Sequence, residues 1–172
     1  VIVVAAIFGQ EMLGLGRGSL IGAVLLIQFL GVPGAWAMGR AAGRWGAKRV
    51  ILAALILWMA LVIFASFFML HPNQFWGMAA VVGLILGGSQ ALSRSLFAKV
   101  VPDGRQAEYF GFYAMSDKLS AVLGPLTYAV ARQLTGSIRM AALSLIIFFI
   151  LGFILLATSR LSAEDQKESE ER

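Results

Sequence analysis

Long apolar runs alternate with short polar gaps along the chain. Crossing the hydrocarbon core of a bilayer takes roughly 20 mostly apolar helical residues. Five stretches reach that length: Leu20–Met38, Val50–Leu70, Phe75–Phe97, Tyr109–Ala131 and Met140–Thr158. The opening VIVVAAIF, Val1–Phe8, reads as part of a further helix whose first half is missing. Because the gaps are short, neighbouring segments must run antiparallel. The expected fold is all-α, a polytopic transmembrane helix bundle over residues 1–159, followed by a polar tail over 160–172. That tail ends SAEDQKESEER, without aromatics, and reads as a solvated segment.

The segments differ in character. Val50–Leu70 and Met140–Thr158 are apolar nearly all round, as suits helices that face lipid over most of their circumference. The other three full segments carry Gln28, Gln90, Arg94, Asp117 and Lys118 together with Gly and Pro. Polar groups at membrane depth face a protein interior or a watery cavity. Counting the opening segment, the third helix of each group of three is peripheral and the others line something, the three-plus-three pattern that an inverted repeat in a transporter half would produce.

Composition strengthens the membrane reading. The chain has 172 residues, 59% hydrophobic and 13% charged, against about 45–50% and 25% in soluble domains. The net charge of +5 raises the question of a nucleic-acid partner. The basic residues, however, sit in gaps between apolar runs, where they act as orientation signals. Arg40, Arg44, Lys48 and Arg49 fill one gap, Lys99 and Arg105 another, and Arg160 begins the tail. The positive-inside rule puts these three regions, including the C-terminus, in the cytoplasm. The absence of cysteine excludes a disulfide framework and thiolate chemistry, and one histidine cannot build a multi-histidine metal site. No cofactor or metal is expected.

Several constellations could carry chemistry. Asp117 and Lys118 sit near the middle of their segment, about 100° apart around a helix, so one face cannot hold both. Either they belong to a buried ion pair that fixes packing, or Lys118 meets an anionic group and Asp117 pairs or carries a proton. Arg94 either snorkels to the headgroups or pairs with Asp117 or Glu108 as a gate. Gly83, Gly87, Ala91 and Ser95 make a small-residue stripe for close helix approach. Gly124–Pro125 and Gly31, Pro33 and Gly34 could kink their helices and expose backbone carbonyls to a cavity. An enzyme is not supported. His71 falls in an outer loop and Ser89 well past the middle of its helix, about 20 Å or more apart, too far for a nucleophile and its base.

Three blocks resemble a known family. Gly39-Arg40-Ala41-Ala42-Gly43-Arg44-Trp45-Gly46-Ala47-Lys48-Arg49 resembles the cytoplasmic signature loop of the major facilitator superfamily, with Gly39, Arg40, Arg44, Gly46, Lys48 and Arg49 at signature positions. Gly43 stands where the signature has an acidic residue, which leaves out that loop's charge relay. GGSQALSRSLFAKVVP and AEYFGFYAMSDKLSAVLGP resemble the vacuole-effluxer-like branch of the superfamily, whose fungal members are linked to amino-acid release. The resemblance implies the C-terminal half, helices seven to twelve, of a twelve-helix transporter, with the seventh helix truncated. Gln90, Arg94, Tyr113 and Lys118 fall within the matching blocks.

The functional expectation is secondary active transport of a small solute such as an amino acid by alternating access. Gln28, Gln90, Tyr113 and Lys118 would line the path, and Arg94, Glu108 and Asp117 would gate it or couple it to protons. The partners would be the lipid bilayer, a missing N-terminal half and the solute, in a bacterial cytoplasmic membrane. The rival is a non-transporting receptor or assembly scaffold, which requires a packed interior with Asp117 and Lys118 paired.

Overall fold

A computed structural model describes residues 9–10, 14–69, 71–102 and 104–159. The expected opening helix Val1–Phe8 and the tail 160–172 lie outside the described residues. From Arg17 on, six helices follow one another among the described residues: α1 (Arg17–Trp45), α2 (Ala47–Phe68), α3 (Pro72–Val100), α4 (Gln106–Thr135), α5 (Ile138–Ser144) and α6 (Ile146–Thr158). The chain is therefore an all-α helical bundle. By length and composition α1, α2, α3 and the α5–α6 pair are apolar enough to cross a membrane. At 30 residues and 1.5 Å per residue, α4 reaches about 45 Å. It is long enough to span, but its polar residues keep it out of that apolar set.

The helix ends follow local chemistry. Gly46 alone separates α1 from α2; it adopts φ 84°, and its N–H bonds to the Ala42 carbonyl at 2.9 Å. The expected signature loop is thus not a loop. Gly39, Arg40 and Arg44 lie in α1, Lys48 and Arg49 in α2, and only Gly46 stands between the helices. Alanine and arginine are strong helix formers, so GRAAGRW continues the helix until a left-sided glycine turns the chain. His71 caps α3, its backbone N–H meeting Gln74 Oε1 at 3.1 Å, with Pro72 at the start of the helix. Proline fits there because the first N–H of a helix needs no partner within it. Gly136 closes α4 in the left-handed conformation, φ 64°, bonding back to the Arg132 carbonyl at 2.9 Å. The single segment expected over Met140–Thr158 is two helices broken at Leu145. There the hydrogen bonds tighten to three-residue spacing, Leu145 to Ala142 and Phe148 to Leu145.

The core is built on the crossing of α1 and α3, the most extensive helix contact in the bundle. A Cβ added at Gly87 would collide with the backbone of Gly31, and one at Gly34 with the backbone of Leu84. The two helices therefore touch backbone to backbone. Around this seam Ala23, Ile27, Ala79, Val82 and Ile85 are buried. Of the small-residue stripe, Gly83 and Gly87 serve the seam while Ala91 and Ser95 are exposed. Gly31 and Gly34 act as contact surface at the same place.

The two greasy helices pair with each other. Trp58 of α2 stacks on Phe149 of α6 with ring centroids 5.7 Å apart. The buried side of α2 is a stripe, Val50, Ile51, Ala54 and Trp58, while Ile56, Leu57, Ile63, Phe64, Phe67 and Phe68 are exposed. That exposed apolar surface suits lipid contact. At one end of the pair Lys48 is buried, and its Nζ donates to the carbonyls of Ala157 at 3.1 Å and Ser159 at 2.6 Å. The last carbonyls of a helix lack partners and carry the negative end of the dipole, so an ammonium there is favourable.

Candidate functional site

α4 is the odd element of the bundle. Tyr128 is its one buried residue, packed in the core with Ala141, Ala142 and Leu145. Elsewhere the helix is half-buried or exposed, and its middle carries charge. Asp117 and Lys118 are both exposed, and among the described residues they form no ion pair with each other. The serines beside them are satisfied within the helix, Ser116 Oγ donating to the Phe112 carbonyl at 3.1 Å and Ser120 Oγ to the Ser116 carbonyl at 2.8 Å. Pro125 lies inside α4. Its missing N–H removes the usual partner of the Ala121 carbonyl, one turn from Lys118.

Where the end of α3 meets the first half of α4, aromatic rings enclose a groove of about 450 Å³. Its lining is Phe97 from α3 with Glu108, Tyr109, Phe112, Tyr113 and Ser116 from α4. Phe97 lies 5.0 Å from Tyr113 and 5.6 Å from Phe110, centroid to centroid, the latter pair edge to face. Such arrangements place the positive edge of one ring against the negative face of another. At the rim, Arg105 grips Glu108 through Nε and Nη2, with contacts of 2.8–3.0 Å. The same guanidinium stands over the Tyr109 ring, 5.6 Å from its centroid.

The sequence-predicted residues are only partly brought together. Glu108 and Tyr113 share the groove. Gln28, Gln90 and Arg94 are exposed on α1 and α3, and neither they nor Asp117 and Lys118 line it. The expected gate pair of Arg94 with Glu108 or Asp117 is not formed among the described residues; Arg105, the N-cap residue three positions before Glu108, takes Glu108 instead. Arg40 and Arg44 are exposed, Arg40 lying 5.2 Å over Trp36. Ser89 Oγ donates to the Leu86 carbonyl at 3.1 Å, and His71 caps the far end of the same helix. The 18 residues between them span about 27 Å. No group of three or more metal-ligating side chains occurs among the described residues.

Sequence reasoning missed the groove and the Lys48 clamp. The groove had a signal, the cluster Tyr109-Phe110-Gly111-Phe112-Tyr113 beside Glu108. The clamp had none, since its partners are backbone carbonyls more than a hundred residues away.

Comparison with known proteins agrees with the architecture. The family described as "Vacuole effluxer Atg22 like" matches residues 1–169. The chain is 37% identical over 157 residues to "Uncharacterized MFS-type transporter YxiO" of Bacillus subtilis, covering 91% of this chain and 36% of that protein. It is 28% identical over 157 residues to "Autophagy-related protein 22" of Saccharomyces cerevisiae, covering 87% and 27%. The protein of that name in Candida glabrata is 29% identical over 166 residues, covering 90% and 29%. The chain thus spans about a third of the length of the curated relatives it matches. No solved structure matches it. The relatives' names describe transport or autophagy, none of them a catalysed reaction. With its apolar helices and a match over nearly its whole length, this chain is an integral membrane protein that belongs to the Atg22-like vacuole effluxer family of the major facilitator superfamily.

Proposed function

We propose that the chain is part of a secondary active transporter that moves a small solute, such as an amino acid, by alternating access. The observation that carries this reading is the exposed Asp117–Lys118 step in the middle of α4, an acid and a base at mid-helix. Charges at membrane depth are costly unless they face protein, water or a ligand. Here they face a solute path between this bundle and an N-terminal half, with the end of the chain in the cytoplasm of a bacterial cell. Gln28, Gln90, Tyr113 and Lys118 contact the solute, Lys118 meeting its anionic group. Arg94, Glu108 and Asp117 gate the path or carry its proton. Midplane sites in such transporters are typically built where helix backbone groups are freed; α1 and α4 run unbroken, and each carries an internal proline, Pro33 and Pro125, that withholds one N–H.

The expected outcome for Lys118→Ala in the complete protein is loss of transport in proteoliposomes with normal membrane expression; unchanged transport sinks this role. Asp117→Asn should remove the dependence on the pH gradient while leaving solute binding. Transport that still follows the gradient would move the coupling carboxylate elsewhere. A receptor or scaffold requires Asp117 and Lys118 paired in a packed interior, and their exposure speaks against that rival.

A further inference from the structure

We propose that the aromatic groove between α3 and α4 is a binding site for an organic ammonium group, and that Arg105 occupies its cation position as a tethered stand-in. The groove has the two elements that recognise such a cation. The rings of Tyr109, Phe112, Tyr113 and Phe97 line it, the Tyr109 face already lying under a guanidinium, and Glu108 supplies a carboxylate at the rim. Cages of this composition are the recurring solution for alkylated ammonium ligands. The volume of about 450 Å³ lies within the range of small-molecule sites, about 300–1,000 Å³. A cation carrying apolar substituents would therefore fill the groove as well as pair with its acid.

The evidence that this chemistry is aimed at a cation comes from the protein itself. The guanidinium of Arg105 holds both Glu108 oxygens and lies over the Tyr109 ring at once. It uses the two groups that an ammonium ligand would use. Arg105 and Glu108 are each more than half exposed, at 58% and 55%, and an ion pair so exposed contributes little stability. An entering ligand thus displaces the guanidinium at small cost, and Arg105 swings into solvent. A neutral ligand of the same shape gains the apolar walls but has no use for Glu108. A simple anion meets the carboxylate and is rejected.

The tethered-cation arrangement makes an unusual demand: the two members of one ion pair must have opposite effects. The test is equilibrium binding of benzyltrimethylammonium to the intact protein in detergent, by calorimetry and without any ion gradient. Its neutral carbon isostere, neopentylbenzene, serves as the control. Glu108→Gln should weaken binding of the cation roughly tenfold, and Arg105→Gln should tighten it roughly threefold or more. Tyr109→Leu keeps apolar surface but removes the ring face, and should also weaken it several-fold. None of the three should alter the affinity for the isostere by more than about twofold, and their melting temperatures should match the parent protein. A shift in the same direction for Glu108→Gln and Arg105→Gln overturns the proposal, since an ordinary structural ion pair behaves that way. So does a parent protein that binds the cation no better than the isostere, or a Glu108→Gln protein that binds it unchanged. The groove shares Glu108 and Tyr113 with the proposed solute path, but its cation binding is read at equilibrium, apart from any solute movement. Cation binding without solute movement would sink transport and keep the groove, and transport without cation binding would do the reverse.

Discussion

The α1–α3 seam and helix α4 are built on opposite principles within one small bundle. At the seam, glycines bring two backbones into contact, and the surrounding residues are apolar and buried. On α4, glycine faces open space, charge sits in mid-helix, and a single tyrosine is buried. In a bilayer there is no hydrophobic gain from moving a leucine out of lipid, so close packing and polar contacts hold helices together. The seam has the first in full. α4 is tied to the bundle mainly through the short α5 and the rings at its start, leaving its polar surface available for the solute path proposed above. Rigid scaffold and reactive surface are thus assigned to different helices.

The largest expected effect comes from placing a side chain in the seam. Gly87→Leu drives a branched side chain into the Gly31 backbone and should destabilise the bundle by about 3 kcal/mol, at the upper end of overpacking. The same leucine at Gly111 of α4, where a Cβ meets nothing within 4 Å, should not lower the thermal unfolding temperature in detergent. Equal losses at the two positions would erase the distinction between the regions.

A smaller effect is expected at the edge of the rigid part. Lys48→Met keeps the stem but removes two charge-assisted hydrogen bonds to the end of α6. Its cost should be about 1.5–3 kcal/mol, read as faster amide exchange confined to the last turn of α6 and a lowered unfolding temperature. Lys48→Arg should restore part of it. The smallest effect has the opposite sign. Gly111→Ala should stabilise α4 by about 0.5–1 kcal/mol, because alanine loses less backbone freedom on forming a helix. Placed side by side, alanine at Gly87 and at Gly111 should move the melting temperature in opposite directions.

The legible part of this molecule was written in local pattern. The membrane helices follow from runs of apolar residues, and the packing role of Gly83 and Gly87 from their four-residue spacing. Leu145 shows the limit, since LSLIIF contains neither glycine nor proline and nothing in it announces a break. The Arg40–Arg49 gap misleads for the opposite reason. Its charges suggest a solvated loop, while its alanines and arginines extend two helices to a single glycine. At the candidate site, the alternatives for Glu108 included a distant Arg94 across a helix pair, yet Arg105 at three-residue spacing could reach it without any tertiary constraint. Local geometry decides an exposed pair of this kind. The groove needed the meeting of Phe97 with residues of the next helix, which hydropathy does not report.

The contact of Lys48 with Ala157 and Ser159 has a consequence for biosynthesis. Its two ends are 109 and 111 residues apart in the chain, so the lysine emerges from the ribosome long before its partners do. Until α6 has been made, that ammonium has no helix end to hold, and α2 waits in the membrane with an unmatched charge at its start. The bond closes only after α6 is in place. The contact therefore exists only in a chain whose α6 has inserted beside α2 with its C-terminal end next to Lys48.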